Sequence, residues 1–147
     1  MDQQDSETFL SKRDERLGLM IWFRLSRVYN HSLRETHQHL KKWGLSAAQF
    51  DILAQVGAQG RLTQQQLADK LFVTKGNITQ LLGKLEELGY IEREQAWKTK
   101  YVSLTGKGKA LFDEAVPVQE QFQASQYHAL NREEKRQLLE LLKKLQG

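Results

Sequence analysis

The chain of 147 residues carries 22 basic and 18 acidic side chains, a formal net charge of +4, and no cysteine. The length suits one compact domain or two small lobes, and the lack of cysteine excludes disulfides, thiolate zinc sites and thiol-based redox sensing by this chain. No stretch approaches the ~18 apolar residues of a membrane span, and the polar N-terminus is unlike a signal peptide, so we expect a cytoplasmic protein without membrane contact. The small positive charge is compatible with nucleic-acid binding but does not by itself argue for it.

The N-terminal part predicts one long helix, from about Asp14 to Lys42. Its apolar residues form a stripe wider than one helix face, because Trp22 and Phe23 extend it, and such a stripe predicts burial from two directions. The helix is expected to end at Gly44, since glycine is common just after a helix C-terminus.

Two shorter helices follow, each opened by a capping box, in which a Ser or Thr and a Gln three residues later bond each other's backbone amides. Ser46–Gln49 opens the first, and Gly57 and Gly60 are expected to mark its exit. Thr63–Gln66 opens the second, which is predicted to run to about Leu71.

A fourth helix is predicted from Thr74, its N-cap, to Leu88, with Gly89 as the residue that ends it. One face is an apolar stripe with helical spacing. The stripe consists of Ile78, Leu81, Leu82, Leu85 and Leu88. The opposite face is polar, with Lys75 at its start, and holds Gly76, Asn77, Thr79, Gln80, Gly83 and Lys84.

This polar face has the chemistry of a helix that enters the DNA major groove. The amides of Asn77 and Gln80 can bond adenine N6 and N7, and Thr79 can contact a thymine methyl group or a phosphate; free amides at the helix start favour phosphate. A polar helix face is more often simply solvated. However, each interior glycine lowers helix stability by about 0.5–1 kcal/mol relative to alanine. A face that only contacts solvent would gain nothing from this loss of stability.

After Gly89 the apolar period changes from helical to alternating. The segments YIERE and KYVSLT predict a β-hairpin around the polar turn QAWK. Its basic side chains, Arg93, Lys98 and Lys100, can reach phosphates or the minor groove. Glu92 and Glu94 oppose this, unless strand alternation turns them away from DNA.

Two helices complete the chain. Thr105 is predicted to cap a helix to about Ala129, with a kink at Pro117, and Asn131 with Glu134 is predicted to start a last helix. The last helix carries Leu138, Leu139, Leu141, Leu142 and Leu145. The predicted fold is mainly α with a small β-hairpin wing: a winged helix-turn-helix lobe at 46–105, flanked by an N-terminal tail and helix at 1–45 and by helices at 106–147.

Three segments together resemble the MarR family, the multiple antibiotic resistance regulators. They are LSAAQFDILAQVG, LTQQQLADKLFVTKGNITQLLGKLEELGYIERE and VSLTGKGKALF, in order across roughly Leu45 to Phe112. The resemblance implies a homodimeric transcriptional regulator, by default a repressor, that binds double-stranded DNA at a pseudo-palindromic operator. It implies terminal helices of two chains interleaved as a dimer interface, recognition helices in successive major grooves and wings in the minor groove. It also implies a small phenolic or other anionic aromatic effector that binds between the dimer and DNA-binding lobes.

The residue patterns and the resemblance together assign the candidate sites. The residues expected to contact DNA are Thr74, Lys75, Gly76, Asn77, Thr79, Gln80, Lys84, Arg93, Lys98 and Lys100. The residues expected at the dimer interface are Leu17, Ile21, Leu138, Leu141, Leu142 and Leu145. No cofactor is expected, and no residue is assigned to the effector.

Two places depart from the family pattern. Where the family's wing reads Asp, Arg, Arg, this chain has Ala96, Trp97 and Lys98, so a lysine point charge replaces the arginine fork at the tip. Trp97 either packs on a DNA sugar or shields the hairpin. Phe72 stands in the turn between the third and fourth helices where many relatives have glycine, and a phenylalanine at positive φ would be strained.

The remaining sequence patterns give weaker indications of function. His31, Glu35 and His39 form one stripe on the first helix and could supply part of a metal site, but a polar helix edge is the simpler interpretation and no metal site is predicted. No phosphate-binding loop, nucleophile motif or catalytic triad is visible, so we do not expect an enzyme. Two alternatives stay open: a winged-helix module that binds a protein partner, and a metal-responsive regulator of the same fold.

Overall fold

The computed structural model describes residues 9–71 and 75–147, and for residues 75 and 76 it describes the backbone alone. The helices are α1 (Lys12–Leu40), α2 (Ala47–Gln59), α3 (Gln64–Leu71), α4 (Lys75–Glu87), α5 (Gly106–Ser125) and α6 (Arg132–Gln146). The strands are β1 (Arg61–Thr63), β2 (Ile91–Ala96) and β3 (Thr99–Leu104). The predicted class, mainly helical with a small β wing, is confirmed.

The chain divides into two compact units, of which the first ends at Glu35 and the second covers Thr36–Gly147. The predicted division at residues 45 and 105 follows proposed roles and stays a prediction. No helix among the described residues is both long enough and apolar enough to cross a membrane.

The first unit is the N-terminal part of α1, and its large apolar side chains are exposed. They are Leu17, Leu19, Met20, Ile21, Trp22, Phe23, Leu25, Val28 and Tyr29. Among the described residues of the single chain this part of the stripe is uncovered, and its burial from two directions stays a prediction.

The second unit has a continuous hydrophobic core under the winged helix-turn-helix. Its largest fully buried side chains are Leu40, Ile52, Leu53, Val56, Leu67, Ile78, Leu82, Leu85, Ile91 and Val102. Burying one such side chain contributes about 1.5–3 kcal/mol. These residues come from the end of α1, from α2, α3 and α4, and from β2 and β3, so the core fixes α4 on the other elements of the lobe.

Local capping bonds begin the helices where the sequence predicts. Ser46 and Gln49 exchange bonds of 2.9 and 3.1 Å between side chain and backbone, and Thr63 and Gln66 do the same at 2.9 and 3.0 Å. Asn131 forms a capping box with Glu134 at the start of α6. The Thr105 hydroxyl accepts from the Gly108 amide at 3.0 Å at the start of α5. These four capping predictions are confirmed, whereas the predicted N-cap Thr74 lies outside the described residues.

The sheet has one strand more than predicted. The strand order is β1-β3-β2, all antiparallel, and Leu62 of β1 lies opposite Val102 of β3. A segment as short as Arg61–Thr63 has too few positions for an alternating pattern to be visible, so β1 was missed.

Some predicted helix boundaries were wrong. Gly57 lies inside α2, where a Cβ would collide with the Phe112 ring, and only Gly60, at φ 80°, ends that helix. Leu88 follows the last residue of α4 and is partly exposed instead of in the core. α5 ends at Ser125, before the predicted Ala129, because the chain passes into tighter turns there.

A candidate nucleic-acid interface on α4 and the wing

The buried stripe of α4 leaves its polar face outward. Ile78, Leu82 and Leu85 are fully buried, and this orients the opposite side of the helix to solvent. The exposed residues of that side include Asn77, Thr79, Gln80 and Lys84. Thr74 and Phe72 lie outside the described residues, and for Lys75 and Gly76 only the helical backbone is described.

A shallow, open depression runs along this face. It is lined by Asn77, Gln80, Leu81, Gly83, Lys84 and Glu87. Three of the predicted DNA-contact residues thus share one continuous surface. Glu87 was not predicted there, and its carboxylate sets an acidic limit at the C-terminal end of the surface.

Gly83 makes no close packing contact with the described residues. A Cβ at its position would meet none of them within 4 Å, and its backbone is ordinary helix. This contrasts with Gly108 at the start of α5, where a Cβ would collide with the Tyr90 carbonyl group. The conformational cost of Gly83 is therefore not offset by a close contact inside the described lobe.

The C-terminal end of α4 is tied to the start of α5. The Thr105 hydroxyl donates to the Gly89 carbonyl oxygen at 2.6 Å, and the Lys107 ammonium donates to the Leu88 carbonyl oxygen at 2.8 Å. Both bonds are accepted by carbonyl groups that directly follow the last residue of α4. They hold the end of the polar face in place from a second element.

The register of the wing separates its acidic and basic side chains. Antiparallel partners point to the same face, and Arg93 pairs with the buried Val102 while Glu92 pairs with Ser103. Arg93 and Lys100 therefore lie on the face that covers the core. Glu92 lies on the other face, and so by alternation does Glu94.

Arg93 is committed to an ion pair that the sequence analysis did not foresee. Its Nε donates to Glu86 Oε2 at 3.2 Å and its Nη2 donates to Glu86 Oε1 at 3.0 Å. These hydrogen bonds hold the pKa of Glu86 below its usual range. The pair links α4 to β2, so Arg93 positions the wing against the helix. Its charge is partly neutralised by Glu86, which weakens the attraction of Arg93 to a phosphate.

The wing ends in a turn narrower than the predicted QAWK. Ala96 still pairs with Thr99, which leaves Trp97 and Lys98 as the turn. Trp97 has φ 58° and is 86% exposed, and the Lys98 ammonium lies 4.9 Å from its ring centroid. Lys98 and Lys100 are exposed, so the wing brings two basic side chains near its tip.

His39 is held by protein contacts. Its Nδ1 donates to Gln119 Oε1, and its ring stacks on Phe122 at 4.0 Å and meets the edge of Trp43 at 5.4 Å. Gln119 is buried, so this bond satisfies its carbonyl oxygen. Within the described ranges no three His, Cys, Asp or Glu side chains gather as metal ligands.

The predicted dimer-interface residues have exposed apolar surface. Leu17, Ile21, Leu141, Leu142 and Leu145 are all exposed, and Leu138 is partly buried. Leu145 is the most open of these, at 74%.

Comparison with known proteins identifies relatives along most of the chain. A MarR family model matches residues 43–96. An uncharacterized HTH-type transcriptional regulator of Bacillus cereus is 45% identical over 134 residues, which cover 90% of this chain and 91% of that protein.

Two solved structures share the fold. BpsR of Bordetella bronchiseptica, whose DNA binding is regulated by 6-hydroxynicotinic acid, is 25% identical with a TM-score of 0.77, over 85% of this chain and 93% of BpsR. A mutant of MarR from E. coli in complex with operator DNA has a TM-score of 0.79, over 94% of this chain and all of that one. Its identity is 24%, so this likeness concerns the fold alone.

Proposed function

Because the chain belongs to the MarR family of transcriptional regulators, we propose that it binds a pseudo-palindromic operator as a homodimer and represses transcription until a small aromatic effector releases it. The observation that carries the DNA-binding site is the outward polar face of α4. Its amide side chains are exposed, while Ile78, Leu82 and Leu85 on the opposite side of the helix are fully buried. A helix held this way presents donors and acceptors to the edges of base pairs.

The proposed contacts divide into base-reading and backbone-binding residues. Asn77, Thr79 and Gln80 face bases in the major groove, while Lys84 and the amides at the start of α4 face phosphates. Lys98 and Lys100 bind phosphates from the wing. The protein would act in the cytoplasm, where it meets DNA.

The homodimer is proposed from apolar side chains that one chain leaves uncovered. Monomers rarely expose a continuous apolar patch of more than a few hundred Å². The first unit exposes a series of large apolar side chains on α1, and α6 of the second unit separately exposes leucines. A second copy of the chain covers these side chains and also supplies the second recognition helix.

For the effector we propose a chemical class and no particular compound. The related BpsR responds to 6-hydroxynicotinic acid, a small anionic aromatic compound. We propose a ligand of the same chemical class for this chain, without assigning residues to it. A panel of hydroxylated aromatic acids, added to the protein–operator complex, would be scored for release of DNA.

The decisive experiment is selection of genomic DNA fragments by the purified protein, followed by footprinting. We expect a consensus with two-fold symmetry and half-sites about one helical turn apart, because the symmetry of the site mirrors that of the dimer. Binding should weaken steeply and linearly in log–log form with salt. A protein that enriches no sequence, and whose weak DNA retention is the same for all fragments, would contradict the proposal.

A further inference from the structure

The tip of the wing combines two features that are unfavourable for the isolated chain. Trp97 has a left-handed backbone, at φ 58°, where glycine, asparagine and aspartate are the usual residues of a two-residue hairpin turn. Its side chain is also 86% exposed. A large aromatic residue is thus placed where neither the backbone nor solvation favours it.

The fold holds this arrangement in place. β2 and β3 remain paired up to Ala96 and Thr99, and the Gln95 side-chain amide donates to the Trp97 carbonyl oxygen at 3.3 Å. The Lys98 ammonium lies 4.9 Å from the Trp97 ring centroid. The ring and the cation therefore project from the tip together, while most of the ring surface remains open.

Residues with strained backbones concentrate where a site binds a ligand, and the neighbouring charges indicate what this tip binds. The exposed Lys98 lies beside the ring, and the exposed Lys100 follows on β3, which favours an anionic partner. An aromatic ring with a cation next to it matches DNA, since the ring packs on sugars or base edges while the ammonium group binds an adjacent phosphate.

We propose that Trp97 is a DNA-contact residue, whose ring packs as an apolar wedge against the sugars and base edges of the minor groove while Lys98 binds a flanking phosphate. The inference rests on the proposed function, because it requires that α4 brings the wing to DNA. It assigns to the tip a shape-reading contact, sensitive to groove width and to the flexibility of the base step.

The test compares three substitutions of Trp97. Trp97→Gly and Trp97→Asn relieve the left-handed backbone, so the melting temperature should stay equal to that of the parent or rise by a few degrees. Their Kd for the operator should increase at least tenfold. Trp97→Phe should recover most of the lost affinity. The salt slope of Trp97→Gly should match that of the parent, because no charge is removed, whereas Lys98→Ala should lower it by about one.

Fluorescence gives a second readout that does not depend on affinity. The parent and Trp97→Phe share Trp22 and Trp43, so the difference between their emission spectra isolates Trp97. At saturation with operator this difference emission should be quenched and shifted to shorter wavelength. A scrambled duplex at the same concentration is the control for non-specific contact.

The outcomes separate this inference from the proposed function. Glycine and asparagine variants that bind the operator within twofold of the parent, with an unchanged difference emission, would overturn the role of Trp97. The proposed function would still stand if Gln80→Ala lost discrimination in the same assay. A parent protein that selects no operator would overturn both.

Discussion

At the scale of single residues, Gln80 and Lys98 are expected to fail in different ways. Gln80 is exposed on the outward face of α4, and Gln80→Ala should lose about 1–3 kcal/mol against the operator, with one base position per half-site becoming permissive. Its salt slope should be unchanged. Lys98→Ala should instead weaken binding to all sequences alike and lower the salt slope by about one.

The measurement for this pair is titration of operator and scrambled duplexes at several salt concentrations. Each variant serves as the control for the other, because one removes an amide and the other a charge. If Gln80→Ala binds both duplexes like the parent, α4 is not the base-reading helix.

Gly83 gives a prediction in which stability and function move in opposite directions. A Cβ there would contact none of the residues that the structure describes, so Gly83→Ala should stabilise the fold by about 0.5–1 kcal/mol. The added methyl group stands on the face proposed to approach DNA, so operator affinity should fall. Denaturant unfolding and operator titration measure the two effects.

Gly106→Ala is the matched control. Gly106 also lies in a helix with open space around its Cβ position among the described residues, and it lies outside the surfaces proposed for DNA contact and dimerisation, so its replacement should leave the operator complex as strong as that of the parent. Equal affinity of the Gly83 and Gly106 variants would mean that Gly83 does not mark a close approach to DNA.

At the scale of elements, the Glu86–Arg93 ion pair joins a side chain of α4 to one of β2. Glu86→Gln should destabilise the lobe by at most about 1 kcal/mol at neutral pH, because both side chains are partly exposed and water screens the pair. The folded state lowers the pKa of Glu86 from 4.5. Its contribution is therefore complete above that value and is lost as pH falls through the lowered pKa.

Denaturant unfolding of the parent and of Glu86→Gln at a series of pH values tests this link. The gap between them should be full at pH 7 and should close in acid. Glu87→Gln, an identical change at the next residue, is the control and should show a smaller gap. A gap that is constant with pH would show that ionisation of Glu86 does not contribute.

The same elements show what the sequence could and could not predict. Capping boxes such as Ser46–Gln49 join residues three apart, so they can be read directly. The leucine stripe of α4 likewise fixed which face is outward. The pairing of β1 with β3 and the close packing of Gly57 against the Phe112 ring involve residues far apart in the sequence. Only the folded chain brings those segments together, so local patterns did not reveal them.

In the candidate DNA-binding site, too, the features set by local spacing could be predicted and those set by distant contacts could not. Outward placement of Gln80 follows from helical spacing, and separation of Glu92 from Arg93 follows from strand alternation. The ion pair of Arg93 with Glu86 was not foreseen, because it depends on the angle at which β2 leaves the helix. The left-handed backbone of Trp97 was also missed, since the turn was predicted two residues longer than it is.

At the scale of the whole molecule, the exposed leucines of α6 allow a test of the dimer. Leu145 is 74% exposed in the single chain, so Leu145→Asp should leave a monomeric protein equally stable and more soluble. In the proposed dimer the same change places a charge in an apolar interface, where burying an unpaired charge costs several kcal/mol. Leu145→Asp is therefore expected to destabilise the protein only if the protein dimerises through this surface.

Light scattering at micromolar concentration, combined with melting at several concentrations, measures the effect. The parent should have the mass of a dimer and a melting temperature that rises with concentration, whereas Leu145→Asp should be a monomer or an aggregate. Gln146→Asp, an equal change of charge on the adjacent residue of α6, controls for the added carboxylate near the helix end. A parent that is monomeric under these conditions would remove the basis for a two-fold symmetric operator. Loss of operator affinity in Leu145→Asp, with α4 unaltered, would show that both recognition helices are needed at once.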